Sequence, residues 1–147
     1  MLQELQNKLH TQIPLTKLMQ LRVDTMDEKE LVTSAPLDIN INDKGTAFGG
    51  SSNAMTIISA WSACLLITQK LGFDDTMIAI IKNQSSFRAG ITEDFKCYTY
   101  LPTKEEIEKL NIKLKSKGST SIKIKSQIIE NGKVCLDFEG IYIIKLK

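Results

Sequence analysis

Hydrophobic and polar positions near the start of the chain predict a helix followed by a β-hairpin. Leucines recur at helical spacing from Leu2 to Leu9, and Ile13-Pro14 interrupts this amphipathic pattern. Apolar residues then alternate with polar ones from Met19 to Thr25 and again from Leu31 to Leu37, across a short polar turn. Two alternating segments joined in this way are typical of a hairpin.

The middle of the chain predicts one long buried helix. It opens at Gly49 and Gly50 and stops at Lys70-Leu71-Gly72, a basic residue and a glycine where a helix end is expected. Between these bounds, apolar residues cover nearly the whole circumference, so the helix must be surrounded by protein. Several serines and threonines within the run argue against a lipid-facing span.

Most of the remaining sequence is typical of β-strands. The predicted strands are Met77 to Arg88, Phe95 to Leu101, Ser121 to Ile129 and Val134 to Leu146. Thr103 to Lys115 interrupts them as a charged helix with a T-x-x-E capping box, and Asn131-Gly132 predicts a tight hairpin. Strands grouped around one wholly apolar helix predict a single α+β domain over residues 1–147. The expected architecture is the hotdog fold, an antiparallel β-sheet wrapped around a long central helix.

Composition excludes several classes of function. The chain has 147 residues and a net charge of only +2, which disfavours a nucleic-acid-binding protein. Cys64, Cys97 and Cys135 are widely spaced, and the single histidine, His10, is distant from them in sequence, so we expect neither a metal site nor disulfides. Reduced buried thiols and a polar N-terminus without a secretion signal predict a cytoplasmic protein.

The segment from Asn42 to Gly50, NDKGTAFGG, is the most informative for chemistry. A glycine pair at a helix N-terminus presents backbone N–H groups and the positive end of the helix dipole, both suited to an oxyanion. Glycine also lets a substrate approach the backbone closely. Alternatively, Gly49 and Gly50 serve only to let the central helix pack tightly under the sheet.

This segment resembles the N-x-x-G-x-x-H-G-G signature of phenylacetyl-CoA-type hotdog thioesterases, with Asn42, Gly45, Gly49 and Gly50 in register. The longer stretch APLDININDKGTAFGGS, together with the later SSFR, resembles the YiiD C-terminal thioesterase family. The resemblance extends from about Leu15 to Leu101. It implies an acyl thioester hydrolase whose substrate carries coenzyme A or an acyl-carrier protein, with no separate cofactor.

Two positions depart from the wider family pattern. Phe48 stands where the family has histidine, and Ile57 stands where it has a carboxylate in the central helix. Because that helix contains no acid, Asp43 is the nearest candidate for a general base or nucleophile, although it could equally be a solvated turn residue. Asn42 could orient water or the thioester, or it could cap the turn. Gly50 is the predicted oxyanion donor.

The remaining candidates concern substrate binding. The predicted substrate-binding residues are Gly45, Phe48, Gly49, Ser51, Asn83, Ser85 and Arg88. The polar run Asn83-Gln84-Ser85-Ser86 interrupts an apolar strand, which suggests either a pocket or a dimer seam. Ser52 and Asn53 of the helix could face the same pocket. Arg88 and Lys96 could contact coenzyme A phosphates, or they could be ordinary surface charges.

Three readings of function remain open. The lone histidine near the N-terminus disfavours both a hotdog dehydratase and a Ser-His-Asp hydrolase. A thioesterase is favoured by Asp43 beside the glycines, whereas Ile57 favours a non-catalytic acyl-CoA or acyl-carrier binding module. A purely structural dimerisation domain is the third reading. In each case we expect at least a homodimer, because one copy leaves sheet edges and apolar surface uncovered.

Overall fold

The computed structural model describes all residues from Met1 to Lys147 and contains four helices and six strands. The helices are α1 (Leu2–Gln12), α2 (Pro14–Leu18), α3 (Gly49–Lys70) and α4 (Lys104–Lys117). The strands are β1 (Arg22–Met26), β2 (Glu30–Ala35), β3 (Thr76–Phe87), β4 (Phe95–Tyr100), β5 (Ser119–Glu130) and β6 (Lys133–Leu146).

The strands form one antiparallel sheet in the order β1-β2-β4-β5-β6-β3. The long helix α3 lies against one face and contacts strands β2 through β6. This arrangement confirms the predicted hotdog architecture. β3 follows α3 in sequence but pairs only with β6, so it occupies an edge of the sheet.

The core consists of the apolar face of the sheet and the helices that cover it. Helix α3 buries residues on all sides, and two thirds (67%) of its most apolar window is inside the protein, although its length and composition would suit a membrane span. Leu110 and Leu114 of α4 extend the core over β5 and β6. Tyr142 anchors α3 to the sheet, since its hydroxyl donates to the carbonyl of Ile57 at 2.6 Å.

Two hydroxyl pairs are enclosed within this apolar interior. Thr33 of β2 bonds Ser59 of α3 at 2.7 Å, and Thr99 of β4 bonds Ser126 of β5 at 2.8 Å. None of the four side chains reaches solvent. Each hydroxyl satisfies the other, so the desolvation cost of burying these polar groups is offset.

The start of the chain differs from the predicted strand over Met19 to Thr25. The segment opens with the end of α2, and the strand begins only at Arg22. Gln20 adopts a left-handed conformation (φ 56°), and the Leu21 N–H donates to the Thr16 carbonyl at 3.0 Å, which closes the helix end. Met19, Leu21 and Val23 are all buried. Their alternation therefore reflects burial of an irregular turn as well as of a strand.

The predicted helix ends and the predicted hairpin turn are confirmed. Helix α4 has the capping box between Thr103 and Glu106, with both reciprocal bonds present. Gly72 follows the end of α3 with φ 93°, a conformation that favours glycine. Asn131 and Gly132 have φ 51° and 76° between the paired strands β5 and β6, as a type I′ hairpin requires.

Candidate active site

The N-terminus of α3 presents two free backbone donors. The N–H groups of Ser51 and Ser52 both donate to the Phe48 carbonyl at 3.0 Å, whereas the N–H groups of Gly49 and Gly50 donate to no group of the protein. Phe48 is the N-cap in an extended conformation, and its side chain makes no capping bond. Two free amides at the positive end of a 22-residue helix can therefore hold an anion or a carbonyl oxygen.

Aromatic rings flank both glycines. A β-carbon on Gly49 would lie 3.4 Å from Cε2 of Phe87, and one on Gly50 would overlap the ring of Phe48. Phe48 and Phe87 are 56% and 59% exposed, so much of each ring is free to contact a ligand. A side chain at Gly50 would therefore have to displace the exposed Phe48 ring. The glycine pair has apolar walls on either side of its free amides.

Asn42 organises the loop that leads to these glycines. Its Oδ1 accepts from the N–H groups of Lys44 and Thr46 at 2.8 and 3.1 Å, and its Nδ2 donates to Thr46 Oγ1 at 2.9 Å. Gly45 completes the turn with φ 81° and no atom near its absent side chain. These contacts hold the loop in shape. They use both the oxygen and the nitrogen of the Asn42 side-chain amide.

Asp43 lies at the exposed tip of the same loop. Its side chain is 82% exposed, and its Oδ1 accepts from Lys44 Nζ at 2.9 Å. Such a surface ion pair is weak and breaks readily. The carboxylate is therefore available to a ligand in this loop, but the fold does not hold it against Gly49 and Gly50.

A cavity of about 320 Å³ opens beside the helix start. Its lining residues are Ala47, Gly49, Ser52, Phe87, Arg88, Ala89, Gly90, Ile91, Cys135 and Leu136. No carboxylate is among them. Most of these residues come from the segment after β3 and from β6, which sequence spacing alone does not bring to the motif. The only sequence feature that indicates these cavity residues is the SSFR stretch, which contains Phe87 and Arg88.

A polar cluster joins α3 to the open edge strand. The Ser85 hydroxyl donates to Asn53 Oδ1 at 2.7 Å and lies 3.4 Å from Asn83 Oδ1. Thr56 also reaches Asn53 Oδ1, at 3.3 Å. The Nδ2 groups of Asn53 and Asn83 donate to nothing within the chain. The structure thus brings together Asn83 and Ser85 of β3, and it makes Asn53, which the sequence also suggested for this pocket, the partner of Ser85.

A family model described as "Putative thioesterase (yiiD_Cterm)" matches residues 2–146. The chain belongs to this family. It is accordingly a thioesterase, a hydrolase of acyl thioesters, and the predicted family, fold and enzyme class are confirmed.

Solved structures share the fold of this chain. A thioesterase from Shewanella oneidensis, described as "putative", shares 26% identity with a TM-score of 0.88, and the match covers 99% of this chain and 97% of that one. A protein of unknown function from Chlorobaculum tepidum shares 25% identity with a TM-score of 0.92 over 99% and 94%. A Haemophilus influenzae thioesterase shares the fold at 12% identity, with a TM-score of 0.72 over 99% and 92%. No curated protein sequence matches the chain.

Arg88 and Lys96, the two predicted contacts for coenzyme A phosphates, lie in different parts of the thioesterase. Arg88 Nη2 donates to Asp137 Oδ2 at 2.9 Å, so its guanidinium already has an anionic partner beside the cavity. Lys96 lies elsewhere, on the outer face of β4, and forms no ion pair. The two residues therefore do not form one phosphate site.

The thiols of the thioesterase are poorly suited to act as nucleophiles. Burial raises the pKa of Cys64 to about 12 and that of Cys97 to about 11. Burial, together with the Glu130 carboxylate, also raises the pKa of Cys135, the one thiol that lines the cavity. All three remain protonated near neutral pH, whereas the thiolate is the reactive form. Nor does the chain group three or more His, Cys, Asp or Glu side chains that could hold a metal ion.

Proposed function

We propose that the protein hydrolyses acyl-CoA thioesters and that the amides of Gly49 and Gly50 stabilise the oxyanion. The observation that carries this proposal is the pair of free N–H groups at the start of α3, flanked by Phe48 and Phe87. A carbonyl oxygen placed there gains negative charge as the carbon is attacked, and fixed donors stabilise that charge. The aromatic walls suit the apolar atoms on either side of the thioester.

In the proposed reaction, water attacks the thioester carbonyl and Asp43 accepts the proton of that water. The carbon–sulfur bond then breaks, the thiolate takes up the proton, and a carboxylic acid and free coenzyme A leave. Asp43 must release Lys44 to do this, which its exposed position allows. Asn42 acts by keeping the loop in the conformation that carries Asp43 and Gly45.

We also propose that the enzyme is at least a homodimer, assembled through β3. This edge strand is paired on one side only, and the Asn53, Asn83 and Ser85 cluster lies beside it. A second copy at this edge would cover the cluster and could supply groups to the site. Three buried, reduced thiols support a cytoplasmic location for this assembly.

The direct test is hydrolysis of a panel of acyl-CoA chain lengths, followed by detection of the released thiol. We expect Asp43→Asn to lower turnover by roughly 100-fold or more, the scale of losing a general acid or base. Acyl-CoA binding should survive, because the amide preserves the size of the side chain. Asp38→Asn, which changes another exposed carboxylate of the same loop, is the matched control and should retain activity.

Equal turnover by wild type and Asp43→Asn would place the base elsewhere, including on a second copy of the chain. The alternative function is a non-catalytic acyl-CoA or acyl-carrier binding module. One observation favours it, namely that no carboxylate lines the cavity beside Gly49. Binding of acyl-CoA without turnover at any chain length would establish that alternative.

A further inference from the structure

A second, larger cavity of about 550 Å³ is lined by residues of α1 and α2 and by the adjoining ends of β1, β2 and β4. We call it the basic cavity. Its charged lining consists of Lys17, Arg22 and Lys96 against a single carboxylate, Asp94, with His10 beside them. Three cations against one carboxylate give this cavity a local excess of positive charge.

The cations of the basic cavity have no anionic partners within the chain. Lys17, Arg22 and Lys96 form no ion pair, in contrast to Arg88 at the cavity beside α3. The one carboxylate is partly engaged, because Asp94 Oδ1 accepts from the Leu37 N–H at 2.8 Å. Three unpaired cations around a recess can therefore bind an anion without first breaking other ion pairs.

Sheet register brings two of these cations close together. Arg22 pairs with Ser34 across β1 and β2, and Ser34 pairs with Lys96 across β2 and β4. The three side chains therefore form a row on one face, with the cations two strand spacings apart, roughly 10 Å between their α-carbons. Long Arg and Lys side chains can converge from that separation on phosphate oxygens above the Ser34 hydroxyl.

The loop that leads into α3 borders the basic cavity. Pro36 lines it, and Asn40 Nδ2 donates to the Pro36 carbonyl at 2.8 Å. The Asn40 carbonyl in turn accepts from the Phe48 N–H at 2.7 Å. With ordinary bond lengths, these links place the Pro36 carbonyl within roughly 12 Å of the Phe48 nitrogen. The extended pantetheine arm, which separates the thioester of an acyl-CoA from its phosphates, is longer than this.

We propose that the basic cavity is the subsite for the phosphate groups of a coenzyme A thioester. The inference rests on the proposed function, because it assumes that the thioester is held at Gly49 and Gly50. It goes beyond that function by assigning Lys17, Arg22 and Lys96 to the nucleotide part of the substrate. A free nucleotide has the same phosphate chemistry, so the experiment must separate a substrate from an effector.

The first measurement is calorimetric binding of 3′,5′-ADP, the nucleotide portion of coenzyme A, to the full chain. We expect wild type to bind and the Arg22→Ala/Lys96→Ala double variant to bind at least about tenfold more weakly, since two charge-assisted contacts are lost. Lys17→Ala, which lies outside the sheet, provides an independent variant. The control is Lys109→Ala/Lys113→Ala on α4, which removes two cations remote from the cavity.

The second measurement compares hydrolysis of an acyl-CoA with that of the same acyl group on pantetheine. The double variant should lose kcat/KM for the acyl-CoA and keep it for the acyl-pantetheine, and 3′,5′-ADP should compete with acyl-CoA. Unchanged nucleotide binding in the double variant, an equal loss for both substrates, or non-competitive inhibition would each overturn the assignment. Variant-sensitive nucleotide binding without hydrolysis of any thioester would support the nucleotide site and overturn only the proposed function.

Discussion

The sheet ends in two edge strands, and the rest of the chain covers β1 much more fully than β3. β1 has five residues and a bulge between Val23 and Thr25. Helix α1 reaches its backbone directly, because Gln6 Oε1 accepts from the Val23 N–H at 2.9 Å and His10 Nε2 lies 2.7 Å from the Leu21 carbonyl. A short, bulged and covered edge of this kind resists pairing with another chain.

The β3 edge is long and largely bare. It has twelve residues, and the only side chain that bonds its backbone is Trp61, whose Nε1 donates to the Ile78 carbonyl at 2.9 Å. Ile81, at a bulge in the same strand, is 59% exposed. Unpaired backbone groups and an exposed apolar side chain make this edge a template for another strand.

The difference between the edges links assembly to chemistry. The polar cluster of Asn53 and Ser85 and the ring of Phe87 lie on the β3 side, next to the free amides of Gly49 and Gly50. The β1 side instead carries the basic cavity. We infer that pairing at β3 also completes the catalytic site, whereas changes at β1 affect stability or the binding of the nucleotide part of the substrate.

The largest effect should follow from blocking the β3 edge. Ile81→Lys places a charge on the open strand, which opposes pairing, and we expect a monomer. Hydrolysis should fall by roughly 1,000-fold or more, because both the positioning of the thioester and any group from the second copy are lost. Light scattering and the thiol-release assay measure the two outcomes. Thr25→Lys on β1 is the matched control. If Ile81→Lys gives an active monomer, assembly is not needed for hydrolysis.

A substitution at the helix start should abolish most activity without affecting assembly. In Gly50→Val the new side chain displaces the Phe48 ring and covers the free amides, so we expect a loss of about 100- to 1,000-fold in kcat, typical of a lost oxyanion donor. Phe48→Ala removes the ring but leaves the amides open, and its effect should be smaller and mainly on KM. A folded, fully active Gly50→Val protein would remove the oxyanion assignment.

On the covered edge, Gln6→Ala should reduce stability and leave function intact. The Val23 N–H loses its acceptor, which costs about 1 kcal/mol in the free energy of unfolding. Urea denaturation measures this loss, while the oligomeric state and turnover should match those of wild type. Gln3→Ala on the exposed face of α1 is the control, since Gln3 bonds only Asn7. Dissociation of the Gln6→Ala protein would show that β1, too, takes part in assembly.

The smallest effect concerns the turn of the β1–β2 hairpin. Backbone bonds from Glu30 and Lys29 hold the pKa of Asp27 below its ordinary value of 3.8. The stabilisation is therefore complete above the ordinary pKa and is lost as the pH falls through the lower pKa of the folded state. The difference in stability between wild type and Asp27→Ala should therefore shrink as the pH falls through that range. Asp27→Asn keeps an acceptor but cannot titrate, so its stability should lack this pH dependence; a constant wild-type advantage over Asp27→Ala down to pH 2 would contradict the assignment.

Local patterns in the sequence were sufficient to predict most elements. The all-round apolar character of Gly49–Lys70 predicts a central helix, and Asn131-Gly132 predicts a hairpin that the structure confirms. The short helix Pro14–Leu18 is not predicted by the sequence pattern, because its five residues contain too few turns to show periodicity. The alternate burial of Met19 and Leu21 imitates the pattern of a strand, although both residues lie before β1.

The candidate site was predicted only where its residues are close in sequence. The NDKGTAFGG motif identifies the free amides of Gly49 and Gly50, since a helix N-terminus is a local feature. Cys135 and the 88–91 segment join the site through pairing of β3 with β6, whose partners nearest the site, Phe87 and Leu136, lie about fifty residues apart in sequence. Neither the position of β3 at an edge nor the contact of Asn53 with Ser85 follows from spacing, because both depend on strand order.

The enclosed hydroxyl pairs have a consequence for how this sequence can evolve. Thr33 and Ser59 lie in different elements, and each is the other's hydroxyl partner in the apolar interior, beside the weaker hydrogen-bonding thiol of Cys97. Replacing one with an apolar residue leaves the other hydroxyl without its hydroxyl partner, which costs about 1–3 kcal/mol in the free energy of unfolding. Replacing both can be nearly neutral. Selection therefore acts on the pair as one unit, and intermediates with a single change are disfavoured. Among relatives, the two positions should covary, both polar or both apolar.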